Sequence, residues 1–278
     1  MRAALLQMTS SDVPAENTRT VTEAMGRAAA AGAGFVLTPE VTNCVSASRT
    51  HQAEVLRRED DDASLPALRD CAARHGLWLL IGSLALKSEP PEARFVNRSF
   101  LIGPDGAIAA RYDKMHMFDV QVTETETYRE SAGYAPGDKA VLAQTPFGRI
   151  GMTVCYDVRF AYLYRALAQA GADILTVPAA FSPATGPAHW EVLLRARAIE
   201  TGCYVLAPAQ TGHHSASAGR QRTSHGHSLA IAPWGEVLAD AGREPGLTMV
   251  DLDLAKVQEA RNKIPSLQHD RAFSGPHE

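Results

Sequence analysis

The chain has 278 residues, 45% of them hydrophobic, 21% charged and 6% aromatic, with a net charge of −4 spread over both signs. That is enough apolar material for one large core, and the balance lacks the basic footprint of a nucleic-acid binder. No stretch approaches the roughly 18–20 apolar residues that span a bilayer, and the opening "MRAALLQMTSSD" is too short to read as a signal peptide.

In chain order, residues 2–8 (RAALLQM) read as a strand and 16–33 (ENTRTVTEAMGRAAAAGA) as a helix with apolar residues at helical spacing. Residues 34–40 (GFVLTPE) are a short buried strand ending at a proline. A second helix follows over 64–76 (SLPALRDCAARHG), with Ser64 as its cap and Gly76 as its stop. Residues 77–86 (LWLLIGSLAL) form a strongly apolar strand. The Gly-Pro-Asp-Gly turn inside 94–114 folds that segment into a hairpin.

The order then recurs. A strand at 149–154 (RIGMTV) leads to a helix at 160–172, a strand at 173–181, a helix at 189–202 and a strand at 203–210. A second hairpin, around Pro-Trp-Gly, spans 227–240. Two halves with the same order predict one pseudo-symmetric α/β domain, a four-layer α-β-β-α sandwich with helices outside two packed sheets. The domain is expected to cover residues 1–262. The polar tail 263–278 is expected to pack on a neighbouring subunit.

Reacting groups in open α/β sheets gather beyond the carboxyl ends of strands. Glu40 follows GFVLTP, Lys114 follows AARYD and Cys155 follows RIGMTV, so a carboxylate, an ammonium and a thiol stand at such ends. A thiol needs a base or a positive environment to become a nucleophile. A glutamate whose pKa is raised by burial can be that base, and a fixed lysine can hold an oxyanion. The amino end of the helix near Phe160 would also favour a thiolate. On burial habits alone, a lone cysteine after a strand is more often a small core residue than a nucleophile. Cys44, Cys71, Cys155 and Cys203 lie far apart without CxxC spacing, as reduced thiols of a cytoplasmic protein do. A histidine base such as His116 has no local signature, and the His-rich segment 212–228 fits no standard metal-ligand spacing. Neither metal nor cofactor is expected.

The blocks GRIGMTVCYDVRF, AGADILTVPAAF, TGPAHWEVLLRARAIETGCYVLAPAQ and HGHSLAIAPWGEV, in this order, resemble the carbon–nitrogen hydrolases of the nitrilase superfamily. The likeness runs along essentially the whole chain. TGPAHWEVLLRARAIET looks most like the branch whose members are amidases for deaminated glutathione. The resemblance implies that Glu40 is the general base and later acid, Lys114 the oxyanion holder and Cys155 the nucleophile that forms a thioester. It places a second, supporting glutamate at Glu130, with Glu124 and Glu126 close by in VTETETYRES. It implies the Tyr156 backbone N–H as an oxyanion donor. Arg159, Phe181 and Thr185 are candidate substrate contacts, Arg159 for a carboxylate unless an ion pair to Asp157 or a helix claims it. Arg195 and Arg197 are expected to pair within their helix with Glu191 and Glu200.

The implied reaction is hydrolysis of deaminated glutathione to 2-oxoglutarate and cysteinylglycine. The alternatives are an ω-amidase acting on 2-oxoglutaramate or another small amide or carbamoyl compound, a non-catalytic interaction protein on the same fold, and a thiol redox sensor. The partners expected are a small-molecule amide and a second copy of the chain, since members of the family form dimers through a helical face. Neither nucleic acid nor membrane is expected.

Overall fold

The computed structural model describes residues 1–122, 124 and 126–275. Its first half runs β1 (Arg2–Gln7), α1 (Pro14–Ala30), β2 (Phe35–Leu37), α2 (Arg49–Val55), α3 (Ser64–His75), β3 (Trp78–Lys87), β4 (Phe95–Ile102) and β5 (Ile108–Asp113). A small hairpin, β6 (Asp119–Gln121) and β7 (Thr127–Arg129), follows. The second half runs β8 (Val141–Thr145), β9 (Gly148–Met152), α4 (Ala161–Gln169), β10 (Ile174–Thr176), α5 (Gly186–Thr201), β11 (Tyr204–Ala207), β12 (Thr211–His213), β13 (Thr223–His225), β14 (Leu229–Ile231) and β15 (Val237–Asp240). β16 (Gly246–Asp251) and α6 (Ala255–Lys263) close the chain.

Two six-stranded sheets result, in the orders β16-β1-β2-β3-β4-β5 and β15-β14-β11-β10-β9-β8. In each, three central parallel strands are flanked by one antiparallel strand on one side and two on the other. β16 therefore occupies the place that β8 holds in the second sheet, although it comes from the far end of the sequence.

Side-chain alternation along the strands builds the layers. Ala3 and Leu5 of β1, with Leu37, Leu80 and Leu101, face the second sheet and join Ile150, Met152 and Ile174 in the central core. Ala4 and Leu6, with Val36, Leu79 and Ile81, face the other way onto Val21 and Met25 of α1 and Leu68 of α3. α4 and α5 cover the second sheet through Leu163, Leu167 and Leu194. Strands buried on both faces read as continuous apolar runs, which is why they were legible in the sequence.

Some local expectations shift. α3 begins at Ser64, but the side chain that caps it is Asp62, whose Oδ1 accepts the N–H groups of Ser64 and Leu65 at 2.9 Å each. A carboxylate outcompetes the expected serine because it also answers the positive end of the helix. Gly76 stops the helix in the left-handed region, φ 63°. The tail folds back on its own chain as far as Asp270. Arg165 of α4 donates to the Ser266 carbonyl at 3.0 Å and ion-pairs with Asp270, and Gln169 donates to the Leu267 carbonyl at 3.1 Å. Among the described residues, no helix is long and apolar enough to cross a membrane.

Candidate active site

Glu40, Lys114 and Cys155 do meet, at one end of the two sheets. Glu40 lies three residues beyond β2, Lys114 directly after β5, and Cys155 three residues beyond β9. All three are buried, at 4%, 2% and 8% exposure.

The Glu40 turn is held tightly. Val41, next in the chain, sits at φ 46°, a conformation that a β-branched residue adopts only under constraint. The constraint is visible: the Val41 N–H donates to Ser83 Oγ at 2.7 Å, the Thr42 N–H to the Ser83 carbonyl at 2.9 Å, and Thr42 Oγ1 to the Pro39 carbonyl at 2.6 Å. The turn presses on β3 so closely that a Cβ at Gly82 would fall 2.0 Å from the Thr38 carbonyl oxygen. Glycine is the residue that fits there.

Cys155 occupies an equally constrained corner, at φ 49° between β9 and a 3₁₀ turn over Cys155–Arg159. Its N–H donates to the Pro178 carbonyl at 2.9 Å. Asp157, fully buried, locks the corner by accepting from the Val154 N–H (2.8 Å), Tyr112 OH (2.7 Å), the His116 N–H (3.1 Å) and His116 Nδ1 (2.6 Å). His116 is thereby committed to Asp157 and to stacking on Phe160, with ring centroids 3.6 Å apart, so it serves the corner rather than acting as a rival base.

The charges are arranged around Lys114. Its Nζ lies 2.9 Å from Glu40 Oε1 and 2.9 Å from each oxygen of Glu130. Glu130 is fixed in turn by the Phe118 N–H at 2.6 Å. Of the three glutamates considered for this position, Glu130 is the one on Lys114. Glu126 accepts from Tyr128 OH, and Glu124 is exposed. Glu40 also accepts from Asn97 Nδ2 (2.9 Å) and from the Ala180 N–H (2.8 Å).

Burial alone would raise the Glu40 pKa, but the Lys114 charge, with hydrogen bonds from Lys114, Cys155 and Ala180, holds it below the usual carboxylate range. The expectation of a raised glutamate is corrected accordingly. Burial works against the Lys114 charge, yet Glu130 and Glu40 together push its pKa well up. Burial and the Glu40 carboxylate drive the Cys155 thiol well up, against the pull of Lys114. The resting site is therefore a thiol hydrogen-bonded to a carboxylate, not a thiolate stabilised by a helix end.

A cavity of about 230 Å³ opens above these groups, and Tyr156, Phe181 and Thr185 line it. The Tyr156 N–H has no acceptor among the described residues and is free to meet an oxyanion. Arg159 is not among the lining residues. Its guanidinium sits 3.2 Å from His189 Nδ1 and stacks over the Tyr156 and Phe181 rings at 5.8 and 5.6 Å, with no ion pair to Asp157. Arg195 and Arg197 pair with Glu191 and Glu200 within α5.

Sequence reasoning missed Asn97, whose Oδ1 is buried without a partner. A polar residue at a buried position of an apolar strand was the available signal. It also missed four arginines, at 49, 129, 220 and 222, on the cavity wall. Arg49 opens the seven-residue α2, Arg129 ends the three-residue β7, and Arg220 and Arg222 lie in the loop between β12 and β13, elements too short to show a periodicity. Among the described residues, no group of three or more His, Cys, Asp or Glu side chains is placed to hold a metal ion.

The family model described as carbon–nitrogen hydrolase matches residues 2–262. Deaminated glutathione amidase of Yersinia enterocolitica is 39% identical over 274 residues, covering 98% of this chain and 93% of that protein. The crystal structure of the Caenorhabditis elegans NitFhit protein superposes with a TM-score of 0.90 at 34% identity, covering 97% of this chain, which spans 65% of that longer one. A glutamate-to-glutamine mutant of the amidase from Nesterenkonia sp. AN1 superposes with a TM-score of 0.77 at 28% identity, covering 95% and 98% of the two chains. It shows Michael addition of acrylamide at the active-site cysteine.

Proposed function

Since the chain belongs to the carbon–nitrogen hydrolase family, we propose that it cuts deaminated glutathione into 2-oxoglutarate and cysteinylglycine, using Cys155 as nucleophile. The observation that carries this reading is the convergence of Glu40, Lys114 and Cys155 at the floor of one cavity. The relative from Yersinia supplies the substrate.

The geometry supports the following course. Glu40 takes the thiol proton as sulfur attacks the amide carbon. Lys114 gives one N–H to Glu40 and shares a second between the two Glu130 oxygens, which leaves its third for the oxyanion beside the Tyr156 N–H. Glu40 then protonates the departing amine, and a thioester remains on Cys155. Water activated by Glu40 releases the acid. Glu130 holds Lys114 in place. Tyr156, Phe181 and Thr185 form the wall against the acyl group, with Arg159 stacked on two of them.

The same reading includes a homodimer or higher oligomer. Tyr162 on α4 and Val192 and Ile199 on α5 are more than half exposed, an apolar face suited to a second copy. The tail beyond Asp270, with Phe273 87% exposed, is proposed to contribute to such a contact. Four cysteines without disulfides fit a cytoplasmic location.

The test is release of 2-oxoglutarate from deaminated glutathione and from 2-oxoglutaramate, side by side, with Cys155→Ala as control. Fast release from the first, lost in the variant, supports the proposal. Preference for the second moves the enzyme to the ω-amidases. Silence on both refutes the substrate.

A further inference from the structure

Five cations line the cavity, and their placement is uneven. Lys114 lies on the floor between two carboxylates, while Arg49, Arg129, Arg220 and Arg222 lie on the wall and mouth. None of these four makes an ion pair among the described residues, whereas Arg2, Arg98, Arg111 and Arg165 elsewhere each do.

Three segments bring them together. Arg49 opens α2, whose cap residue Ser48 abuts the loop carrying Arg220 and Arg222; a Cβ on Gly219 would lie 3.2 Å from Ser48 Cβ. Arg129 ends β7. Arg49 lies over the Tyr134 ring at 4.9 Å and donates to Gln52 Oε1 at 2.9 Å. The charges of Arg49 and Arg222 both act on the Tyr134 phenol, and those of Arg220 and Arg222 on the Tyr128 phenol.

Nearby carboxylates are already engaged. Glu126 accepts from Tyr128, Asp12 from Ser217 beside His51, and Asp119, which faces Arg129 across the β6–β7 ladder and feels its charge, accepts from Ser131. Four like charges around one opening repel one another. Guanidinium groups without a carboxylate partner, held at a pocket mouth, suit bidentate capture of a carboxylate.

We propose that Arg49, Arg129, Arg220 and Arg222 form a recognition site for a carboxylate at the far end of the leaving amine, so that the enzyme selects amides of anionic peptides over simple amides. This rests on the amidase reading above. A two-residue leaving group reaches at most about 7 Å from its scissile nitrogen. That span carries its carboxylate off the floor, where Glu40 and Glu130 would repel it, towards the arginines.

The experiment has two arms on the full chain, each comparing wild type with the Arg220→Gln/Arg222→Gln double variant and with Arg49→Gln. In the first, KM is measured for deaminated glutathione and for the same compound with its glycine carboxylate capped as a primary amide. The cap is expected to raise the wild-type KM about tenfold, and the double variant is expected to treat both forms nearly alike. In the second, the rate of Cys155 alkylation by N-iodoacetylglycine is compared with that by N-iodoacetylglycinamide, read by mass spectrometry. The acid is expected to react several times faster in wild type, with the preference lost in the double variant. If deaminated glutathione is not hydrolysed but the alkylation preference appears and disappears as stated, the substrate reading fails and the anion site stands. If wild type shows no preference for the acid in either arm, or the variants raise KM equally for acid and amide forms, the proposal is overturned.

Discussion

Replacing Glu130 by glutamine tests the charge arrangement most directly. The wild-type floor holds two carboxylates and one ammonium, with Glu130 engaging Lys114 Nζ through both oxygens at 2.9 Å. At that separation and an effective dielectric of 20, one such pair is worth about 6 kcal/mol in gross Coulomb energy. Repulsion between Glu130 and Glu40 and the hydrogen bond that glutamine retains offset about half of it, leaving a net loss of about 3 kcal/mol. Two consequences separate. Lys114 loses its second anchor and its aim at the oxyanion, so kcat falls about 100-fold. Glu40 loses a like-charged neighbour and takes the full Lys114 charge, so its pKa moves further below the ordinary carboxylate value. Glu40 must be ionised to act, and activity disappears as pH falls through its folded-state pKa. The acid limb of the kcat/KM profile is therefore expected to move to lower pH while the plateau drops. The assay is 2-oxoglutarate release between pH 2.5 and 9, with urea unfolding of the same samples across that range. A variant with wild-type kcat, or an acid limb displaced upward, would refute the reasoning.

Three further outcomes are expected. Glu40→Gln lowers hydrolysis about 1000-fold, yet alkylation of Cys155 by iodoacetamide becomes faster, because the carboxylate that raises the thiol pKa is gone while Lys114 remains; equal slowing of both would show that Glu40 acts only as scaffold. Asp157→Asn puts an amide donor among four donors, and is expected to cost about 3 kcal/mol in urea unfolding with a loss of kcat larger than any change in KM. A fully stable and active variant would remove Asp157 from the nucleophile's support. His214 is buried as a neutral ring, with Nδ1 donating to the Ser10 carbonyl and Nε2 accepting from Ser224 Oγ, both at 2.8 Å. Burial pushes its pKa down to about 4. Below the ordinary value near 6.5 the unfolded chain binds a proton that the folded one excludes, so stability is lost as pH falls from 6.5 towards 4, by up to about 3 kcal/mol. His214→Gln is expected to flatten the unfolding free energy across that window, and an undiminished acid slope in the variant would contradict this.

The elements legible in the sequence were those buried on both faces or built on one apolar stripe, such as β1, β3 and α1, and the two hairpins, which their turn residues mark although β5 and β15 are largely exposed. β16 escaped because residues 246–251 leave five of six side chains half-exposed or exposed, so no apolar run marks them. α6 is similar, with only Val257 and Ala260 buried. At the site, Glu40, Lys114 and Cys155 were readable because each polar residue follows a strand abruptly. Their protonation was not: whether burial or Lys114 wins at Glu40 depends on a 2.9 Å contact between residues 74 positions apart, and a pKa raised by burial is not what results there. The wall arginines depend on α2, β7 and the loop between β12 and β13 converging from three parts of the chain, which no local pattern records.

The pairing of β16 with β1, sealed by the Met1 amino group donating to the Leu252 carbonyl at 2.8 Å, has a consequence for synthesis. A ribosome delivers β1 first and its edge partner roughly 240 residues later, which at about 5–20 residues per second is roughly 12–50 s. Throughout that interval one edge of the first sheet is an open ladder, available to any other extended chain. Translation pauses after the second hairpin prolong that exposure, and a nonsense codon before residue 246 makes it permanent.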